Sequence, residues 1–203
     1  MIKLYNDDIL NVKFEDKVDF VFSSPPYNLK INYATYSDDM SHNDYLEWCK
    51  KWITKMYEIS NEDARICLNI PFSVSPQHLR SKRSKEWVNY AMLADYTRIC
   101  QEVGYKYYRT IVWDKGNSNS STGWGQWRGP NCFVRDPHEA ILICYKGNWN
   151  RKKKGTSTIS GRNFMEWTIN KWSVHPETRS WHPAAMPEKL AHIAISLLTL
   201  KED

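Results

Sequence analysis

Val18-Asp19-Phe20-Val21-Phe22-Ser23-Ser24-Pro25-Pro26-Tyr27 is the stretch on which the fold turns. A short apolar run between Glu15-Asp16-Lys17 and a Ser/Pro cluster has the pattern of a buried strand bounded by turn residues. The paired prolines lack the N–H groups that a ladder needs, so the strand must stop there. Outward from it the pattern alternates. Ser41 and Asp44 have capping-box spacing and precede Tyr45, Trp48, Cys49, Trp52, Ile53 and Met56 at helical intervals. Arg65 to Ile70 reads as a second strand closed by Pro71. A second helix runs from about Trp87 through Leu93, Tyr96, Ile99 and Cys100 to Gly104. Tyr107 to Trp113 and Glu139 to Tyr145 read as further strands, and Pro187 to Leu198 as a helix opened by proline. The alternation places the chain in the α/β class, with a parallel or mixed sheet covered by helices.

The chain has 203 residues and 41% hydrophobic content, enough for one domain with a full core, so residues 1–203 are read as a single domain. Two irregular stretches interrupt the alternation, near 114–131 and 148–180, and are candidate recognition insertions. The first holds Gly116-Asn117-Ser118-Asn119-Ser120-Ser121-Thr122-Gly123; the second opens on Arg151-Lys152-Lys153-Lys154. A net charge of +5 suits a polyanionic partner, and several of the ten Trp sit beside Gly, Arg or Lys, which suits stacking on bases. The five cysteines are scattered with no C-x-x-C pair, which argues against a zinc site or disulfide framework and for a reduced, cytoplasmic protein. Asp38, Asp39 and His42 are better explained by a helix dipole than by a metal, so no metal is expected. Neither a signal core nor an apolar run of ~20 residues is present, so secretion and membrane insertion are not expected.

Ser24-Pro25-Pro26-Tyr27 follows the first core strand, at the place where open α/β sheets bind ligands. A base amino group is a poor nucleophile because its lone pair is delocalised into the ring. Rigid acceptors for its N–H groups favour a more pyramidal nitrogen without reorganisation. The Ser24 hydroxyl and the Pro25 carbonyl are such acceptors, Pro25 and Pro26 fix the backbone, and Tyr27 offers a face for an extruded base. Taken alone, the tetrapeptide is equally an ordinary proline turn.

Beyond those four residues the chain resembles the N4-cytosine and N6-adenine DNA methyltransferases of the permuted, beta class, in which Ser-Pro-Pro-Tyr is the catalytic motif. Lys3 to Leu10 is similar to the family's N-terminal segment, with Asp8 at the acidic position near the cofactor adenine. Cys67-Leu68-Asn69-Ile70-Pro71 and Thr110 to Gly116 resemble its following strands, and Phe133 to Leu142 resembles the strand entry that supports the catalytic pocket. Trp181 to Glu188 resembles the segment against the methionine part of the cofactor, which implies cofactor contacts at His182, Pro183, Met186 and Pro187; the family usually has Phe at Met186. The family's Asp-Pro-Phe-x-Gly-x-Gly turn does not occur before Asp203.

The resemblance implies a three-layer Rossmann-like methyltransferase sandwich with a mixed, mostly parallel sheet, incomplete at its C-terminal cofactor part and so left with an unfinished edge. It implies S-adenosylmethionine as cofactor and double-stranded DNA as partner. The expected reaction is methyl transfer to N4 of a flipped cytosine, because adenine-directed relatives more often carry Asp or Asn at Ser24. The alternatives are an N6-adenine enzyme, a subunit inactive without a partner chain or segment that completes the cofactor site, and a DNA-binding module without chemistry. Candidate DNA contacts are Lys115, Trp124, Trp127, Arg128, Arg135, Lys152, Lys153 and Lys154. Trp113, Trp124 and Trp127 are open between packing and base contact, and the Lys run between phosphate contact and plain solvation. Glu139 is read as a structural hydrogen-bonding residue rather than an acid–base group, and His182 as a pocket wall.

Overall fold

The computed structural model describes residues 2–33, 36–75, 89–116, 134, 136–177, 182, 184–201 and 203. Five strands form the central sheet: β1 (Val18–Ser23), β4 (Ser60–Pro71), β5 (Lys106–Asp114), β6 (His138–Tyr145) and β7 (Lys171–Ser173). Their order is β1-β4-β6-β5-β7. β1 runs parallel to β4 and β5 parallel to β7, while β6 is antiparallel to both of its neighbours. The sheet is therefore mixed, with four strands pointing one way and β6 alone reversed. A two-stranded hairpin, β2 (Asn32–Tyr33) and β3 (Tyr36–Ser37), stands apart from it.

Helices cover both faces, and the period-two rule decides which residues meet which layer. Ile66, Leu68 and Ile70 of β4 with Ala140, Leu142 and Cys144 of β6 pack against α1 (His42–Ile59) and α2 (Met92–Val103). Their alternates Cys67, Ile141 and Ile143 meet α3 (Gly161–Trp167) and α4 (Glu188–Leu198). Leu68 and Leu142 are fully buried, so truncating either to Ala would cost about 2–5 kcal/mol in transfer and cavity terms.

Helix α1 forms as its spacing predicts. Ser41 caps it by accepting from the Asp44 amide, and Tyr45, Cys49, Trp52, Ile53 and Met56 are buried along one stripe. Trp52 is core, and Trp48 packs half-buried against the same cluster. Helix α2 begins at Met92 rather than near Trp87, which lies outside the described residues. It ends as expected at Gly104, whose φ of 118° no Cβ-bearing residue adopts easily and whose Cβ would meet the Tyr57 ring at 3.0 Å. β4 starts five residues before Arg65, directly from the C-cap of α1, and α4 has Pro187 as its N-cap. β2, β3, β7 and α3 are too short to leave a periodic signal. Among the described residues β1 and β7 are the edge strands of the sheet.

Candidate active site

β1 and β4 run parallel, so the turn after Ser23 emerges beside the C-terminal end of β4. β6, being reversed, brings its first residues to that same end: Glu139 lies opposite both Pro71 of β4 and Trp113 of β5. Ser24, Tyr27, Asn69, Glu139 and Lys115 thus converge from four segments of the chain on one cavity of about 490 Å³, which Tyr33, Tyr36, Trp113, His182 and Met186 also line.

A continuous hydrogen-bond network runs along its wall. The Tyr27 hydroxyl donates to Glu139 Oε2 over 2.9 Å and lies 3.2 Å from Ser24 Oγ. Asn69 Nδ2 donates to Glu139 Oε2 and to the Tyr27 oxygen. Lys115 Nζ donates to Glu139 Oε1 over 2.5 Å and sits 5.1 Å from the centre of the Trp113 ring. Tyr27 has one proton, and a carboxylate is the stronger acceptor, so the Ser24 hydroxyl is the donor in the Ser24–Tyr27 contact. Ser24 Oγ also accepts from Asn69 Nδ2 over 3.4 Å, which leaves it one lone pair for the cavity. Burial, and then the neighbouring charge of Glu139, raise the Tyr27 phenol well above its ordinary value, so it stays a neutral hydroxyl that both donates and accepts.

The backbone after the turn is held from below. Asp38, 3% exposed, accepts the amides of Asn28, Leu29 and Ile31 at 2.9, 2.9 and 3.1 Å. Asn28 and Lys30 have positive φ, which these bonds help to maintain. Tyr45 donates to the Pro26 carbonyl over 2.7 Å and lies 2.7 Å from the Tyr96 hydroxyl, tying the turn to α1 and α2. Asp38 therefore serves this loop and not the dipole of α1, which has Asp44 in its first turn.

A second cavity, of about 520 Å³, lies along β1 and shares Ser24, Pro25 and Pro26 with the first. Its other walls are apolar: Ile9, Phe14, Phe20, Phe22, Trp48 and Trp52 among them. Its size falls in the range of small-molecule sites.

The expected site residues separate by location. Ser24 to Tyr27, His182, Met186 and Lys115 meet at the first cavity. The His182 ring is 5.7 Å from that of Tyr33 and its Nδ1 accepts the Ala184 amide. Pro187 is buried at the start of α4. Asp8 is exposed and accepts the Leu10 amide, with its neighbour Ile9 at the second cavity. Lys152 and Lys154 are exposed, whereas Lys153 pairs with Asp19 at 2.7 Å and Asp203 at 2.9 Å, near the start of β1 and away from Ser24. Pro183, Trp124, Trp127, Arg128 and Arg135 lie outside the described residues. Trp113 is packed, 4% exposed, with its indole N–H on the Val174 carbonyl, though it also lines the cavity. No group of His, Cys, Asp or Glu with metal-binding geometry occurs among the described residues. No helix among them is long and apolar enough to cross a membrane.

Glu139, Asn69 and Asp38 are the polar residues that sequence reasoning did not place in the site. The available signal was a carboxylate opening an otherwise apolar strand, which needs a cation or donors when buried.

This α/β sandwich is that of DNA methyltransferases. It superposes on TTHA0409 of Thermus thermophilus, described by inference as a DNA modification methylase, with a TM-score of 0.68 at 18% identity, covering 94% of this chain and 71% of the other. It superposes on the cytosine-N4-specific PvuII DNA methyltransferase with a TM-score of 0.61 at 15% identity, covering 96% and 68%. In sequence, the Type II methyltransferase M.MjaVI of Methanocaldococcus jannaschii is 34% identical over 180 residues, 88% of each chain. Residues 18–203 match the N6/N4 methyltransferase family described as DNA methylase, and the chain belongs to that family. It is a DNA methyltransferase whose methyl donor is S-adenosylmethionine.

Proposed function

We propose that the chain methylates the N4 amino group of a cytosine extruded from double-stranded DNA into the first cavity. The observation that carries this reading is the shared wall: Ser24, Pro25 and Pro26 border both a polar, aromatic-lined cavity and an apolar one. A base in the first and the methyl donor in the second would meet at the turn. The second cavity suits the apolar parts of S-adenosylmethionine through Ile9, Phe20 and Phe22, with Asp8 next to Ile9, while Met186 lines the first cavity and Pro187 caps α4, so their proposed donor contacts would come from that side. The donor supplies an electrophilic methyl on a sulfonium; positioning falls to the protein.

Ser24 Oγ accepts an amino N–H of the base, and Tyr33, Tyr36 and Trp113 give its ring apolar surroundings. The proton that Ser24 commits to Tyr27 is not free for the cytosine ring. The base acceptors fall instead to Lys115, whose ammonium has three protons and spends one on Glu139. Trp124, Trp127, Arg128, Arg135, Lys152 and Lys154 are proposed to hold the flanking DNA, and His182 and Pro183 to border the base and donor.

The preference for cytosine rests on Ser24 standing where adenine-directed relatives usually have Asp or Asn. Nucleoside mass spectrometry of unmethylated DNA incubated with the protein and S-adenosylmethionine tests it. N4-methylcytosine is expected; N6-methyladenine alone would overturn the base assignment, and no methylated base would overturn the catalytic reading. A partner chain that completes the donor site would show itself as activity restored only on its addition.

A further inference from the structure

From the chain of contacts between Ser24, Tyr27 and Glu139, we infer that Glu139 is the terminal proton acceptor of the reaction, reached through a two-hydroxyl relay. The inference rests on the proposed use of the first cavity. Methyl transfer to an amino group leaves a nitrogen with one proton too many, and neither Ser24 nor the Pro25 carbonyl is basic enough to keep it. Among the described residues, Glu139 is the carboxylate lining this cavity, with its side chain 13% exposed.

The contacts have the polarity a relay requires. Ser24 Oγ lines the cavity with one lone pair beyond the long contact from Asn69 Nδ2, donates to the Tyr27 oxygen at 3.2 Å, and Tyr27 donates to Glu139 Oε2 at 2.9 Å. As the new C–N bond forms, the bond between methyl and sulfur breaks and its electron pair stays on the sulfur, which becomes neutral. One amino N–H then breaks: its proton passes to Ser24 Oγ, the Ser24 proton to Tyr27, and the Tyr27 proton to Glu139 Oε2. The products are the neutral methylamino base, the thioether and a protonated Glu139. Charge is conserved, both hydroxyls are restored, and no further reactant is needed.

Other groups set the acceptor in place. Lys115 holds Glu139 Oε1, and Asn69 donates to Oε2, so the carboxylate is oriented before the base arrives. Nearby titratable groups are His138 and Asp114, 3.8 Å apart and directed to each other, with Lys171 on Asp114 at 2.8 Å, and His182 across the cavity. Glu139 is distinguished from them by its direct contact with Tyr27.

Glu139→Gln is the discriminating variant, because a glutamine carbonyl can still accept from Tyr27 but cannot keep a proton. In the isolated protein, the ¹³Cζ NMR signal of Tyr27 should move as Glu139 titrates and lose that step in Glu139→Gln. A Tyr27 signal indifferent to Glu139 would overturn the relay without reference to activity. In methyl transfer to unmethylated genomic DNA, Glu139→Gln should be slower by ~100-fold or more, with the acid limb of the pH–rate profile gone and DNA affinity unchanged. Glu139→Asp should recover part of the rate. Equal rates for Glu139→Gln and the wild type would overturn the relay and leave the methyltransferase reading standing. Absence of transfer by the wild type would overturn the proposed use of this cavity, and the relay with it.

Discussion

Asp38 Oδ1 lies 2.9 Å from the amide nitrogen of Asn28, the residue directly after Tyr27. With the bonds from Leu29 and Ile31, this makes one buried carboxylate the anchor of the loop that aims Tyr27 into the cavity. Asp38→Ala would strand three amides, at about 1–3 kcal/mol for each that water does not reach. Thermal unfolding should move to lower temperature and methyl transfer should fall with it. An unchanged melting curve would mean that the loop holds its shape by other means. Asp38→Asn keeps the volume but replaces one acceptor with a donor, so an intermediate loss is expected.

Ser24→Ala and Tyr27→Phe should lower single-turnover transfer by ~100-fold or more while leaving DNA affinity near that of the wild type. Tyr27→Phe keeps the ring and removes the link between Ser24 and Glu139. Filter binding alongside rapid-quench assays separates the two quantities. A parallel loss of affinity in Ser24→Ala would shift its role from chemistry to docking.

Alkaline pH should unfold the protein early. Burial raises the phenols of Tyr27, Tyr45, Tyr96 and Tyr105 above their ordinary value and pushes that of Tyr36 up to about 12. Folded-state values above unfolded ones mean that the stabilising contribution is intact below about pH 10, where the unfolded phenols begin to ionise. It is lost as pH rises towards the folded values. Melting temperature followed upwards from about pH 9 should drop steeply, and Tyr27→Phe should make the drop shallower. A flat profile would contradict the burial of these hydroxyls.

Neutralising Lys152 and Lys154 together should flatten the salt dependence of DNA binding by ~1 unit of slope for each phosphate contact removed, with little change in sequence preference. Lys153→Met should act differently, because its ammonium sits between Asp19 and Asp203. Its expected effect is on melting temperature in acid and in salt rather than on DNA. An unchanged salt slope in the double variant would leave those two lysines as solvated charges.

What the sequence made legible was what short-range patterning determines. Val18 to Ser24 and the stripe from Tyr45 to Met56 carry their periodicities within a few residues, so strand, turn and helix could be read locally. Ser24 to Tyr27 was legible for the same reason. Glu139 was not: it lies 112 residues from Tyr27 in the chain and reaches it through the β4–β6 register. That β6 is the reversed strand leaves no mark in its composition, since a strand buried on both faces is apolar in either direction. Asp38 was misread because a carboxylate near a helix start has a ready local explanation, and its actual partners lie seven to ten residues upstream. β7 is only Lys171–Ser173 and depends on β5 for its ladder, so its own sequence could not announce it.

The reversal of β6 has a further consequence for how such an enzyme could change its target. β5 and β6 are antiparallel neighbours and consecutive in the chain, so the segment that joins Asp114 to His138 starts and ends at adjacent positions, where Lys115 and Glu139 are paired. The entropy of closing a chain segment grows only with the logarithm of its length, about 0.6 kcal/mol for each doubling. A connection clamped at its base can therefore lengthen, shorten or be replaced at little thermodynamic penalty to the sheet. Both of its ends would still open onto the reaction cavity. Evolution could vary this segment, for which we propose contact with DNA, while Ser24, Tyr27 and Glu139 stay where they are.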